Sequence, residues 1–316
     1  MRLFCADTHF GTPEKVREAE MRLFCAGTAI ANSTKDEGCE RLFYFAAAPI
    51  GDGEMSKALE KSIGSGLRHR LLSYADIDKI KGIWDFWLNP NLPDKKLFLD
   101  SGAFSAYTRG VLIDIREYVE FIKKNESELF CYAALDVIGD WEGTRENYDI
   151  MKKMGVDPVP CYHYGEPLDE LKRYCDDGVK YIALGGAVEY ASSREKLEAF
   201  FDSSWSILRD YFPIKVHAFG VTAQWALERY PFYSCDSTAA IMGGGMGRVL
   251  TFENHQLKNT TWDKLGKKCM YPDLVDGLYK DGSQHLNRRI HNVRVMMEYE
   301  KYITKVWKTR GITWNE

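Results

Sequence analysis

From residue 42 onward the chain alternates short apolar runs with stretches of helical periodicity. The apolar runs are 42–48 (LFYFAAA), 97–100 (LFLD), 130–136 (FCYAALD), 158–163 (PVPCYH), 180–185 (KYIALG), 214–220 (IKVHAFG) and 232–236 (FYSCD). They are rich in aromatic and aliphatic residues and too short for helices, so each predicts a strand. Between them, apolar residues three and four apart predict helices over Ile115–Lys124, Thr144–Met154, Leu168–Asp176 and Arg194–Arg209. Such alternation is the pattern of parallel βαβ units. Seven recognisable strands at this spacing favour an α/β fold built as a single (β/α)8 TIM barrel over an open sheet. No GxGxxG follows the first strand, which weighs against a dinucleotide-binding sheet. The tail differs. Gln284–Arg310 predicts one long helix carrying Arg288, Arg289, Arg294, Lys301, Lys305, Lys308 and Arg310 against Glu298 and Glu300.

A second pattern sits where the strands should stop. Asp100-Ser101-Gly102, Asp136, His163-Tyr164-Gly165, Gly185-Gly186, Phe219-Gly220 and Asp236-Ser237 all fall at strand ends. In a (β/α)8 barrel these positions converge on the active-site face. Three carboxylates and an imidazole would then point into one cup.

The totals narrow the partners. The chain has 316 residues, 45% of them hydrophobic, and a net charge of −4, so any nucleic-acid surface must be a local patch. The cysteines, Cys5, Cys25, Cys39, Cys131, Cys161, Cys175, Cys235 and Cys269, form no CxxC pair and several lie in apolar runs. That usage fits buried thiols in a reducing compartment. No run reaches membrane-spanning length and no signal-peptide core opens the chain, so the sequence reads as cytoplasmic with no membrane partner. Met1–Thr8 and Met21–Thr28 match at seven of eight positions. A local duplication or an alternative start at Met21 explains this, making residues 1–20 a dispensable extension and 21–316 one barrel domain including the last helix.

Two carboxylates across a sugar can run a retaining double displacement, one attacking the anomeric carbon and the other shuttling the proton. Asp236 and Asp100 are the candidates. Asp136 and Gly185-Gly186 suit a purine edge, because a carboxylate accepts from N–H groups and glycine lets backbone approach a flat ring. Each has a plain competitor. A strand-end Asp is commonly the N-cap of the next helix; His163 alone suits a packed core; the basic tail suits a solvated helix face. The run Gly243–Gly247 lacks the Lys-Ser/Thr of a P-loop and predicts a flexible loop over the site.

In order along residues 97–300, these segments resemble the tRNA-guanine transglycosylase superfamily. Asp100-Ser101-Gly102-Ala103-Phe104 is similar to its DSGGF motif, and Leu135-Asp136 to the strand whose aspartate reads guanine. His163 stands near the base-contacting glutamine of a QGG motif, a departure. Leu184-Gly185-Gly186-Ala187-Val188 resembles GGLAVG, and Phe219-Gly220-Val221 resembles MGVG. Cys235-Asp236-Ser237 resembles the strand with the nucleophilic aspartate. Gly247-Arg248-Val249-Leu250-Thr251 resembles GR-x-x-T, and Ile290-His291-Asn292-Val293-Arg294 resembles IHNLR. The family's three-cysteine zinc cluster is missing. Only Cys269 and His291 stand at family-like positions, with His255 and His285 the next ligands to test, so the usual zinc site is expected to be absent or rebuilt, and no other cofactor is expected. Met242 stands near an arginine of the tRNA enzymes, and no appended RNA-binding domain follows. With DSGAF for DSGGF, the closest resemblance is to the branch, often phage-encoded, that inserts 7-deazaguanines into DNA.

The resemblance implies that guanine flips out of DNA into the mouth and that Asp236 attacks C1′. A free 7-deazaguanine then enters, read by Asp136, by His163 and by the Gly185–Ala187 backbone, with Ser101 nearby and Phe104 or Tyr164 stacking. Asp100 moves the proton. Arg248, Arg288, Arg289 and Arg294 would hold phosphates. Three alternatives stand: a tRNA-guanine transglycosylase, a hydrolytic glycosylase, and a non-catalytic nucleic-acid-binding partner subunit. A homodimer is left open.

Overall fold

The computed structural model describes residues 42–46, 69–79, 81–91, 95–261, 264 and 285–314. The N-terminal extension, the repeated octapeptide, Cys269 and the side chain of His285 lie outside the described residues. Eight strands form one parallel sheet: β1 (Leu42–Ala46), β2 (His69–Ser73), β3 (Lys96–Asp100), β4 (Cys131–Tyr132), β5 (Cys161–His163), β6 (Tyr181–Gly185), β7 (Lys215–Ala218) and β8 (Ser234–Ser237). Their order is β4-β3-β2-β1-β8-β7-β6-β5, with β1 paired to both β2 and β8. The α/β class and the parallel strands are as the alternation predicts. Strand β2 is the one the pattern missed. Its sequence, HRLLS, opens on His69 and Arg70, yet both are buried, so its polar start hides a core strand.

The two ends of that order also meet. Ala133, just past β4, bridges in parallel to Val159, just before β5. Val159 N donates to Tyr132 O at 2.8 Å, and Ala134 N to Val159 O at 2.8 Å. Inside, Phe98 of β3 packs against the ring of His217 on β7 (centroids 4.8 Å) and of Tyr181 on β6 (6.4 Å). These strands are four and five places away in the sheet order.

Helices follow the strands: α1 (Lys81–Trp87), α2 (Ala103–Thr108), α3 (Ile115–Asn125), α4 (Trp141–Lys153), α5 (Leu168–Asp176), α6 (Arg194–Leu208) and α7 (Gln224–Arg229). Their starts obey local chemistry. Asp114 caps α3 by accepting from Arg116 N at 2.7 Å, and Asp140 caps α4 by accepting from Gly143 N at 3.0 Å. Lysines close both helices, Lys123 and Lys124 on α3 and Lys152 and Lys153 on α4, complementing the helix dipole. The apolar stripes of these helices bury Tyr118, Val119 and Ile122 from α3, Leu171 and Tyr174 from α5, and Phe200, Phe201 and Trp205 from α6. No helix among the described residues is long and apolar enough to cross a membrane.

After β8 come α8 (Ala239–Gly245), an antiparallel hairpin of β9 (Arg248–Glu253) and β10 (Gln256–Thr261), and α9 (His285–Thr309). The expected flexible loop at Gly243–Gly247 is corrected here: Gly243, Gly244 and Gly245 close α8. The reason is packing. A Cβ on Gly244 would stand 2.8 Å from Arg289 N and 2.9 Å from its Cα. Glycine lets α8 approach the backbone of α9 directly.

Candidate active site at the carboxyl edge of the sheet

Because the strands are parallel, their carboxyl ends share one edge. Asp100 closes β3, Asp136 lies shortly past β4, His163 closes β5, Gly185 closes β6 and Asp236 lies in β8. None of the three aspartates caps the helix that follows it. Those caps are Gly102 for α2, Asp140 for α4 and Thr238 for α8. The commonest local use of a strand-end Asp is thereby excluded at all three positions.

Asp100 is the most perturbed carboxyl among the described residues. Burial pushes it up to about 7, and the charges of Asp136 and Asp236 push the same way. The Gly102 amide and Ser73 pull weakly in the opposite direction. A carboxyl poised there serves as acid and as base near neutrality. Gly102 is required for the turn beneath it. Its φ is +78°, and a Cβ would come within 2.4 Å of both Ala75 Cβ and Ser73 Oγ.

Asp236 is 8% exposed and aimed by two donors. Gly220 N donates to its Oδ1 at 2.8 Å, and His217 Nε2 lies 3.3 Å from the same oxygen. His217 is fully buried, and burial holds its pKa below the ordinary value although Asp236 favours the charged ring. The neutral ring fits one tautomer. Nε2–H donates to Asp236. Nδ1 accepts from the Ser234 hydroxyl at 2.6 Å, and Ser234 accepts from Tyr181 OH at 2.5 Å. His217, Ser234 and Tyr181 were absent from the sequence-based site. Strand parity would have found them, since His217 and Phe219, and Ser234 and Asp236, alternate toward one face.

Across the same edge His163 stands between two carboxylates. Its Nδ1 is 2.8 Å from Glu166 Oε1, and its Nε2 is 3.3 Å from Asp136 Oδ2. Burial opposes the charged ring, but Cys161 and Asp136 outweigh it and hold His163 well above the ordinary histidine range. Asp136 Oδ1 is buried with no hydrogen-bond partner among the described residues. The Cys161 thiol, two residues before His163 on the same strand face, is pushed up to about 12 by burial. Donor atoms of Asp136, Cys161 and His163 all lie within 4.8 Å of one another, a spacing that can hold a metal ion.

Near the edge, Tyr164 is half-buried and its ring lies 4.0 Å from that of Tyr190; its amide donates to Gly185 O at 3.1 Å. Gly186 takes a φ of +73°, and Ala187 is buried. Phe104, on α2, is 56% exposed. Ser101 is buried and accepts from Ala103 N at 3.4 Å, a turn-holding role. Arg248 is exposed at the start of β9.

Of the arginines of α9, Arg288 departs from the sequence-based reading. Arg288 is 2% exposed and its Nε donates to Gly244 O at 3.0 Å, so it is a packing residue and not a surface cation. Arg289 is half-buried, its Nε donating to Ile241 O at 3.2 Å. Arg294 is half-buried. His291, one of the two metal candidates of the tail, is fully buried with Nε2 2.8 Å from Leu250 O. His255 sits at the hairpin tip against Tyr302, ring centroids 4.9 Å apart. The helix also runs away from the site. Its start packs on α8, but Glu300 meets His69, the first residue of β2, at 3.1 Å. Trp314, just past α9, donates to Ile214 O, just before β7, at 3.3 Å.

Beside Asp236 opens a cleft of about 430 Å³, lined by Gly220, Val221, Trp225, Ser237, Leu257 and Lys258 among others, with Arg194 on its wall. The chain matches no known family and no curated protein.

Proposed function

We propose that this chain is a base-exchange transglycosylase that replaces guanine in DNA with a 7-deazaguanine through a covalent aspartyl-glycosyl intermediate. The observation that carries the reading is the pairing of two unlike carboxyls on one edge. Asp236 is fixed by Gly220 N and His217, while Asp100 is poised at about 7 by burial and by its two acidic neighbours. In this reading the sheet closes into a single (β/α)8 barrel, supported by the Ala133–Val159 bridge and by the ring contacts of Phe98 across the interior. Asp100, Asp136 and Asp236 then line its mouth.

The chemistry follows the division of labour. Asp236 attacks C1′ of the flipped nucleotide as the bond to guanine breaks, and the neutral Asp100 gives its proton to the leaving base. The incoming base then attacks C1′ through its ring nitrogen. Asp100 takes the proton from that nitrogen and the ester to Asp236 breaks. Asp136 and His163 face the base edge, with Tyr164 as the stacking surface. The cleft beside Asp236 takes the neighbouring sugar and phosphate, with Lys258 as its cation; Arg194 on the same wall is already paired with Glu198 at 2.9 Å, and Arg248, exposed at the start of β9 outside the lining, holds a further phosphate.

The test is incubation of the protein with labelled guanine and either DNA or tRNA, followed by mass spectrometry of nucleosides. Label in DNA supports the proposal. Label in tRNA alone selects the tRNA enzyme, abasic product without label selects a hydrolytic glycosylase, and no reaction on either supports a non-catalytic subunit.

A further inference from the structure

We propose that Asp136, Cys161 and His163 form a binding site for one divalent d-block cation, zinc by ligand preference, at the edge of the site and separate from His291 of the last helix. Three features argue for it. The first is donor geometry. Asp136 Oδ2 and His163 Nε2 are 3.3 Å apart, and the Cys161 sulfur lies within 4.8 Å of both ligand atoms. Metal bonds of about 2.0–2.1 Å at tetrahedral angles place N and O donors about 3.3 Å apart.

The second is orientation. Glu166 Oε1 takes Nδ1 of His163 at 2.8 Å. A carboxylate on the far nitrogen fixes the tautomer and turns the near nitrogen toward a metal, the usual partner of a ligating histidine. Here the near nitrogen, Nε2, is the one that faces Asp136 and Cys161.

The third is space and unmet demand. A Cβ on Gly185 would stand 2.7 Å from Cys161 Sγ and 3.0 Å from His163 Nε2, so glycine keeps the volume in front of both donors open. Asp136 Oδ1 is buried with no partner among the described residues. A thiolate, an imidazole and a carboxylate suit zinc or its d-block neighbours and not magnesium or calcium. Three protein ligands leave a fourth position open, as in sites where a metal takes a water or a substrate atom. That position lies on the same edge as Asp100 and is matched to a carbonyl oxygen or ring nitrogen of a bound base. Binding expels two protons to solvent, one from the Cys161 thiol and one from Nε2 of His163. The proposal goes beyond base exchange and does not depend on it.

Cobalt(II) titration of chelator-stripped protein tests it. The expected result is one equivalent bound, with tetrahedral visible bands and a thiolate-to-cobalt charge-transfer band, all displaced by zinc. Cys161→Ser should remove the charge-transfer band with the circular dichroism unchanged. Glu166→Gln should weaken binding by about 10–100-fold, and Gly185→Ala should abolish it with all three ligand residues retained, because its Cβ would displace Cys161 Sγ and the His163 ring. Wild-type protein that binds no cobalt at one equivalent, or a charge-transfer band that survives Cys161→Ser, overturns the site. If Cys161→Ser fails to fold, unchanged affinity in both Glu166→Gln and Gly185→Ala does the same. Base exchange is scored separately, so either reading can fail alone.

Discussion

Two regions of this chain stand out by charge, the carboxyl edge of the sheet and the last helix, and they use charge in opposite ways. On the edge, Asp100, Asp136, His163 and Asp236 sit in or against the core, and none of the aspartates serves a helix cap. On α9 the buried cation has an ordinary structural use: Arg288 binds the carbonyl of Gly244. Lys301, Lys305 and Lys308 of the same helix lie in solvent. Burying acidic groups beside one another opposes folding. A cluster that persists without a local structural use therefore marks a site more strongly than a longer run of solvated or carbonyl-bound cations.

The sharpest way to break that comparison is at Asp236. Asp236→Asn keeps the shape and an acceptor for Gly220 N but removes the attacking charge. Base exchange should fall by about 10³-fold or more, because no glycosyl-enzyme forms, while DNA binding survives. A denaturing gel of protein with DNA should show no covalent adduct for Asp236→Asn and should still admit one for Asp100→Asn. An adduct with Asp236→Asn would move the nucleophile elsewhere.

The next effect is thermodynamic and belongs to the same edge. Asp100 titrates at about 7 when folded, against an ordinary 3.8, because of burial first and then Asp136 and Asp236. A raised carboxyl contributes its full stability below the unfolded value and loses it as pH rises through the folded one. At about 1.4 kcal/mol per unit, the loss approaches roughly 4 kcal/mol above pH 7. Asp100→Asn removes this titration. Urea unfolding at pH 5 and pH 8.5 should show the variant gaining on wild type by most of that amount. An equal difference at both pH values would mean that Asp100 titrates normally.

How far the sequence exposed these regions depended on periodicity. Strand β6 and helix α5 were readable to within a residue because their apolar pattern is clean and turn residues bound them. Strand β2 was hidden by His69 and Arg70, whose burial only the tertiary structure explains. The strand-end aspartates were legible, since a carboxylate closing an apolar run is visible in one dimension. Their partners were not: His217 meets Asp236 from a neighbouring strand, and Glu166 meets His163 from the loop after β5. The tail misled because charge along a helix says nothing about which face is buried.

On α9 the expected effects are smaller and of another kind. Arg288→Glu places a carboxylate among buried groups and against Gly244 O. Stability should fall by about 3 kcal/mol, in the range for breaking a buried charged contact. Thermal melting should show this loss without nucleic acid present. An unchanged melting temperature, with DNA affinity alone reduced, would restore Arg288 as a phosphate contact.

The smallest effect is expected where the sequence places the most charge. Lys301, Lys305 and Lys308 are exposed, but they lie on the half of α9 next to Glu300, which bonds His69 at the amino end of β2. The proposed reacting groups, Asp100 and Asp236, lie at the carboxyl ends of the strands, on the other edge. Reversing all three lysines should leave melting within about 0.5 kcal/mol of wild type, as for surface changes generally. It should also leave the slope of log affinity against log salt nearly unchanged. Lys258→Glu is the contrast, because Lys258 lines the cleft beside Asp236. Loss of one phosphate contact there should flatten the salt slope by about one unit. Fluorescence anisotropy with a labelled duplex across a salt series separates the two variants. A flatter slope in the triple lysine variant, with Lys258→Glu unchanged, would put the nucleic acid on the amino edge and overturn the placement of the substrate.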